Sequence, residues 1–171
     1  MTDRVLRLKS KAGLFWSTLV VVYAADFMTK RLAVEHLSPA YVPHPVVGDL
    51  LRFTLAYNKY AAMGLSLGGY SRPGFAITAV AVIAVLGMIY RRTPSSAKWS
   101  GFALALIAAG ALGNLTDRLM SSMGVVDFID VGIGTTRFYT FNIADMGVTC
   151  GALLLAILSM RSSDEKEADD A

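Results

Sequence analysis

A single cysteine, Cys150, stands among the 171 residues, so no internal disulfide can form and no cysteine-based zinc site is available. Its place inside an apolar run predicts a small buried hydrophobe. Histidine is nearly as scarce. His36 and His44 lie among prolines without an HExxH spacing, which argues against zinc hydrolysis and leaves them as loop residues. Charged residues make up 17% of the chain, against about a quarter in ordinary soluble domains. No long basic run with interleaved aromatics occurs, so a nucleic-acid partner is not expected.

Apolar residues are abundant instead, at 54%, with a mean hydropathy of +0.51. They fall into four runs that read as transmembrane helices, at about 13–33, 73–90, 99–117 and 143–160. Runs of this length sit near the lower bound for crossing a ~30 Å hydrocarbon core. The N-terminus has the outline of a signal peptide, with Arg4, Arg7, Lys9 and Lys11 ahead of an apolar run and Val22-Tyr23-Ala24 in the place of a cleavage site. The helical pattern nevertheless continues through Asp26 to Ala33, and three further runs follow, so a retained first span is the better reading. Residues 34–72 carry Pro39, Pro43, Pro45, Gly68-Gly69 and short alternating pieces, and read as an extramembrane loop with strand content. The charged tail 162–171 reads as disordered.

Lysine and arginine cluster before the first run, between the second and third (Arg91, Arg92, Lys98) and after the fourth (Arg161, Lys166). The positive-inside rule then puts both termini in the cytoplasm and the other two loops outside. Trp16, Tyr90, Trp99 and Tyr139 read as interface anchors at the span ends.

The stretch 110–145 concentrates the polar chemistry: Asp117, Asp127, Asp130, Asp145, Asn114, Asn142 and Arg118. Carboxylates beside membrane-length apolar runs are costly and mark candidate functional sites. At ~1.5 Å rise per residue, Asp26 lies about 22 Å above Lys11, Asp117 about 28 Å above Lys98 and Asp145 about 24 Å above Arg161. Three helices therefore bring a carboxylate to nearly one level, just inside the outer surface. Gly101, Ala105, Ala109 and Gly113 form a small-residue stripe that Asp117 continues, which turns Asp117 toward protein. Asp26 and Lys30, four apart, read as an internal ion pair of the scaffold.

Two neighbouring carboxylates share one proton, so the ionised member can activate water while the other polarises a carbonyl. That hydrolyses a peptide without metal or cofactor. Spacing alone leaves open which two of the four acids pair, and strand alternation puts Asp127 and Asp130 on opposite faces. The Gly64-Leu65-Ser66-Leu67-Gly68 match to a nucleophile elbow lacks the strand–turn–helix setting that motif needs. The rival reading of the acids is a small four-span transporter or assembly protein with proton-relay carboxylates.

Five pieces, in order, resemble the lipoprotein signal peptidase (signal peptidase II) family: Asp26-Phe27-Met28-Thr29-Lys30, Asn58-Lys59-Tyr60-Ala61-Ala62-Met63-Gly64, Gly110-Ala111-Leu112-Gly113-Asn114-Leu115-Thr116-Asp117-Arg118, Val125-Val126-Asp127-Phe128-Ile129-Asp130 and Phe141-Asn142-Ile143-Ala144-Asp145. The resemblance covers nearly the whole chain. It implies a single α-helical integral membrane domain over 1–171, with four transmembrane helices and a small extracytoplasmic β-cradle at about 42–69. It further implies an aspartic endopeptidase of the bacterial inner membrane that cuts signal peptides from diacylglyceryl-modified prolipoproteins at the lipobox cysteine. The implied dyad is Asp127 and Asp145, a choice that comes from the family and not from spacing. Asn58, Asn114, Arg118 and Asn142 are implied to line the substrate site, with Asp117 in support. The implied partners are the lipid-modified substrate and membrane lipids, met by a monomer that needs no cofactor or metal. The chain departs from the family's usual pattern at Phe27 and at Tyr60, Met63 and Gly64.

Overall fold

The computed structural model describes residues 10–59 and 71–169. Tyr60, Met63, Gly64 and the 64–68 nucleophile-elbow match lie outside them. Among the described residues, α1 (Lys11–His36) is followed by β1 (Pro43–Val47) and β2 (Leu51–Asn58), then α2 (Ser71–Arg92) and α3 (Lys98–Met120). The strands β3 (Val125–Ile133) and β4 (Thr136–Arg137) come next, and α4 (Ile143–Asp169) closes the chain.

Four of these helices are long and apolar enough to cross a membrane. Each extends past its predicted run by one or more residues. Ser10 caps α1 by accepting from Gly13 N at 3.0 Å. Lys11 donates to the Tyr90 and Thr93 carbonyls at 3.0 and 2.5 Å, satisfying carbonyls at the end of α2. The expected disorder from 162 onward gives way to helix as far as Asp169. Extending an existing helix costs far less than nucleating one, and Glu, Lys and Ala are good helix formers.

The third helix is the central one: half of its apolar window is buried, against none of that of α2. It packs against all three other helices, most extensively against α4 and α1. The stripe Gly101, Ala105, Ala109 and Gly113 is buried, as its spacing predicts. Glycines at the α3–α4 crossing have a steric reason. A Cβ at Gly110 would meet Val148 Cγ2 at 2.7 Å and the Ala144 carbonyl still closer. A compact apolar cluster of Phe15, Leu86, Leu104, Ala105 and Ala108 joins α1, α2 and α3.

Large apolar side chains on the outer helix faces, such as Val21, Ile77, Val80 and Leu153, are exposed. This is the pattern of a bundle solvated by lipid. Cys150 shares that environment and is exposed, not buried as predicted. Its apolar sequence neighbourhood reflects lipid, which satisfies an apolar run as well as a protein core does.

The strands form one antiparallel sheet in the order β1-β2-β3-β4. Among the described residues, the predicted strand region supplies β1 and β2, and the loop between α3 and α4 supplies β3 and β4. Asn58 pairs with Val125 and Ala56 with Asp127, setting the end of β2 beside the acid-bearing strand. Gly124, at φ +106°, enters β3 where a Cβ would lie 2.9 Å from Lys59 N and closer to the Asn58 carbonyl.

Candidate active site

Asp127 and Asn142 meet because the chain folds back on β3 before α4 begins. Phe141 accepts from Phe128 N and Ile129 N at 3.0 and 2.8 Å and donates to the Ile129 carbonyl at 3.0 Å. The next residue, Asn142, is fully buried and directs its amide along the strand. Its Nδ2 donates to Asp127 Oδ1 at 2.7 Å, with Val126 O and Asn114 Oδ1 each at 3.2 Å.

Asn142 also begins α4. Its Oδ1 accepts from Asp145 N at 2.9 Å, and Asp145 Oδ2 accepts from Asn142 N at 3.2 Å. The exchange satisfies two otherwise orphaned donors at the helix start, and the Asp145 charge lies in the first turn where the helix dipole favours it. Asn114 Nδ2 donates to Asp145 Oδ1 at 2.8 Å, so both carboxylate oxygens are held.

Below this layer lies a charged cluster. Lys30 Nζ is 2.8 Å from Asp26 Oδ2, 2.9 Å from Asp117 Oδ2 and 3.0 Å from Asn114 Oδ1. The level inferred from helix heights is where these groups meet, on α1 and α3. Asp26 also crosses to the fourth helix, its Oδ1 accepting from Ala144 N at 2.8 Å. Asp117 Oδ2 accepts from Val126 N at 3.1 Å, tying α3 to the acid-bearing strand. The expected ion pair Asp26–Lys30 is thus part of a larger network.

Asp127 is 3% exposed. Burial, followed by the Asp145 charge, pushes its carboxyl up to about 7, against hydrogen bonds from Asn58 and Asn142 and the Lys30 charge. Asp130 takes no part in this. It faces away along the strand, where Arg137 Nε donates to Oδ1 at 2.5 Å and Thr54 Oγ1 to Oδ2 at 3.0 Å.

Asp145, Asn58 and Arg118 are half-buried, whereas Asp127 and Asn142 are buried. Arg118 Nη1 donates to the Asn114 carbonyl at 3.0 Å, its guanidinium lies 5.8 Å from the Phe75 ring centroid, and its charge faces Asp145, Asp127 and Asp117. Asn114 and Asn142, expected among the substrate-lining residues, have their amides engaged by the protein itself. Phe27, where the family pattern differs, lies off the site: its ring stacks with Tyr23 at 6.4 Å, and the Arg31 guanidinium lies 5.0 Å from it. Among the described residues no three His, Cys, Asp or Glu side chains are grouped to hold a metal ion.

The backbone return at Phe141, the reciprocal cap at Asn142 and the reach of Lys30 to Asn114 escaped the sequence reading. The Asn-x-x-Asp spacing signals a helix start and could have exposed the cap. The other two join residues 12 and 84 positions apart, and no local pattern carries them.

A family model described as signal peptidase (SPase) II matches residues 18–161. The lipoprotein signal peptidase of Photorhabdus laumondii is 42% identical over 157 residues, covering 90% of this chain and 92% of that protein. The protein of that name from Pseudomonas aeruginosa strain UCBPP-PA14 is 38% identical over 156 residues, with 90% of each chain covered. A bacterial membrane enzyme solved by the in meso method at 2.3 Å superposes with a TM-score of 0.81 at 29% identity, covering 90% of this chain and 92% of that one. A second, at 1.9 Å, gives 0.75 at 31% identity, covering 85% and 92%.

Proposed function

Because the chain belongs to the signal peptidase II family, we propose that it is an aspartic endopeptidase with Asp127 and Asp145 as its dyad. Its substrate is a diacylglyceryl-modified prolipoprotein, cut at the lipobox cysteine. The observation that carries this reading is Asn142, one buried residue that bonds Asp127 through its side chain and Asp145 through its cap.

The pair holds one proton. Burial and the neighbouring charge favour its residence on Asp127. Asp145, half-buried where Asp127 is buried, takes a proton from water as the water oxygen attacks the scissile carbonyl carbon. Asp127 gives its proton to the carbonyl oxygen, forming a tetrahedral diol. Asp127 then recovers a proton from one hydroxyl as the carbonyl re-forms and the C–N bond breaks. Asp145 passes its proton to the leaving nitrogen, and both carboxyls regain their starting states.

Arg118 and Asn58, both half-buried, supply donors for a peptide carbonyl or a polar lipid group. Asn114, Asn142 and Asp117 support the dyad from below. The distribution of lysine and arginine supports an inner-membrane protein with both termini cytoplasmic and the site near the outer face. A monomer suffices, since every residue invoked lies on one chain.

The test is cleavage of a diacylated prolipoprotein by the purified enzyme in detergent without an ion gradient. Turnover is expected to persist with excess EDTA and to vanish in Asp127→Asn and in Asp145→Asn. Gradient-dependent transport without cleavage would contradict the proposal.

A further inference from the structure

The ammonium of Lys30 is 3% exposed and has three protons and three acceptors: Asp26, Asp117 and Asn114. Two are carboxylates, which accounts for burying the charge. The third is a neutral amide, and it has a consequence. An ammonium only donates, so the Asn114 atom facing it must be Oδ1. Asn142 Nδ2, at 3.2 Å, imposes the same choice. An amide whose oxygen is fixed has its nitrogen fixed as well, and Asn114 Nδ2 lies 2.8 Å from Asp145 Oδ1. The reverse rotamer would set NH2 against an ammonium and an oxygen against a carboxylate.

The geometry points to Lys30 as a positioning residue for the peptidase reaction: through Asn114 it fixes the amide that orients the Asp145 carboxylate. It touches neither member of the dyad and acts from the first helix on the fourth. Asp26 completes the arrangement, since it fixes Lys30 while capping Ala144, the residue before Asp145. The first helix therefore sets both the backbone and the side chain of the turn that carries the acid. This inference rests on the reading of Asp145 as a dyad member.

A purely structural role for Lys30 predicts that any break in the buried cluster has a similar effect. The positioning role separates two breaks. Asp117→Asn removes one carboxylate but leaves the Lys30–Asn114–Asp145 line intact. Lys30→Met removes the line at its origin. With a diacylated prolipoprotein in detergent, and kcat counted per folded molecule, Lys30→Met is expected to lie at least tenfold below Asp117→Asn, with KM within about threefold of wild type. If Lys30→Met does not fold, Lys30→Met/Asp117→Asn, which preserves the net charge of the cluster, replaces it in the same comparison.

Combining Lys30→Met with Asn114→Ala is expected to lose no more than about twofold beyond Asn114→Ala alone. A kcat for Lys30→Met equal to that of Asp117→Asn, or losses that multiply with Asn114→Ala, would overturn the inference. Asp145→Asn is run alongside. If it still turns over, the dyad reading falls; if it is inactive while Lys30→Met keeps wild-type kcat, only the positioning role falls.

Discussion

Asn142 and Asp145 close the first turn of α4 on each other, each backbone N–H donating to the other's side chain at 3.2 and 2.9 Å. The same asparagine holds Asp127 at 2.7 Å. A helix cap and the proposed catalytic arrangement thus use one side chain. Forming α4 orients Asp145, and seating the strand on Asn142 orients Asp127. Asn142→Ala is expected to cost about 1–3 kcal/mol of stability, from the lost cap and a buried amide's partners. Its kcat is expected to fall at least 100-fold. Thermal unfolding and cleavage kinetics on one preparation check both, and a rate loss no larger than the loss of folded protein would contradict the shared role.

Activity is expected to fall as pH rises through about 7, because Asp127 must hold its proton to act as the acid. The fall in kcat/KM above that point approaches tenfold per pH unit. A profile flat to pH 9 would place the proton elsewhere.

The same shift makes a stability statement. Between the usual 3.8 and about 7, the unfolded chain has released a proton that the fold retains, so stability declines as pH rises across that window. The cost at higher pH is at most about 4 kcal/mol. Asp127→Asn is expected to unfold at a higher temperature than wild type at pH 8, with the gap narrowing toward pH 4. Equal gaps at both values would contradict the burial argument.

Asp130 lies in the same strand yet serves the sheet, bound to Arg137 and Thr54. Asp130→Asn is expected to keep kcat within about fivefold while costing about 1–2 kcal/mol, a typical loss for a broken side-chain network. An inactive but folded Asp130→Asn enzyme would overturn the choice of dyad.

Two glycines separate close approach from mere helix membership. A Cβ at Gly113 would lie 3.1 Å from Asp26 Cγ and 3.3 Å from Ala144 Cβ, whereas one at Gly87 meets nothing within 4 Å. Gly113→Ala is expected to displace Asp26 from Ala144 and lower both stability and activity. Gly87→Ala is expected to be neutral or to stabilise by up to about 1 kcal/mol through helix propensity. Equal unfolding midpoints for the two variants would contradict the packing described.

The helices and the approach of Asp26 to Asp117 across Lys30 were legible in the sequence, because hydropathy and helical rise are local quantities. The pairing within the sheet was not. Strand alternation was already visible around Asp127 and Asp130, but the pairing of Val125–Ile133 with Leu51–Asn58 is a long-range fact. The exposure of Cys150 escaped for a different reason, since a lipid-facing and a core-facing position have the same composition. Spacing also left the choice among four acids open. Fold-back at Phe141 brings Asp127 to Asn142 and Asp145, while the sheet engages Asp130.

The most direct test is single-turnover cleavage of a diacylated prolipoprotein by wild type, Asp127→Asn and Asp145→Asn, each shown to be folded by its unfolding midpoint. Both variants are expected to produce no cleaved lipoprotein above background. Turnover within about tenfold of wild type by either folded variant would contradict the two-aspartate account.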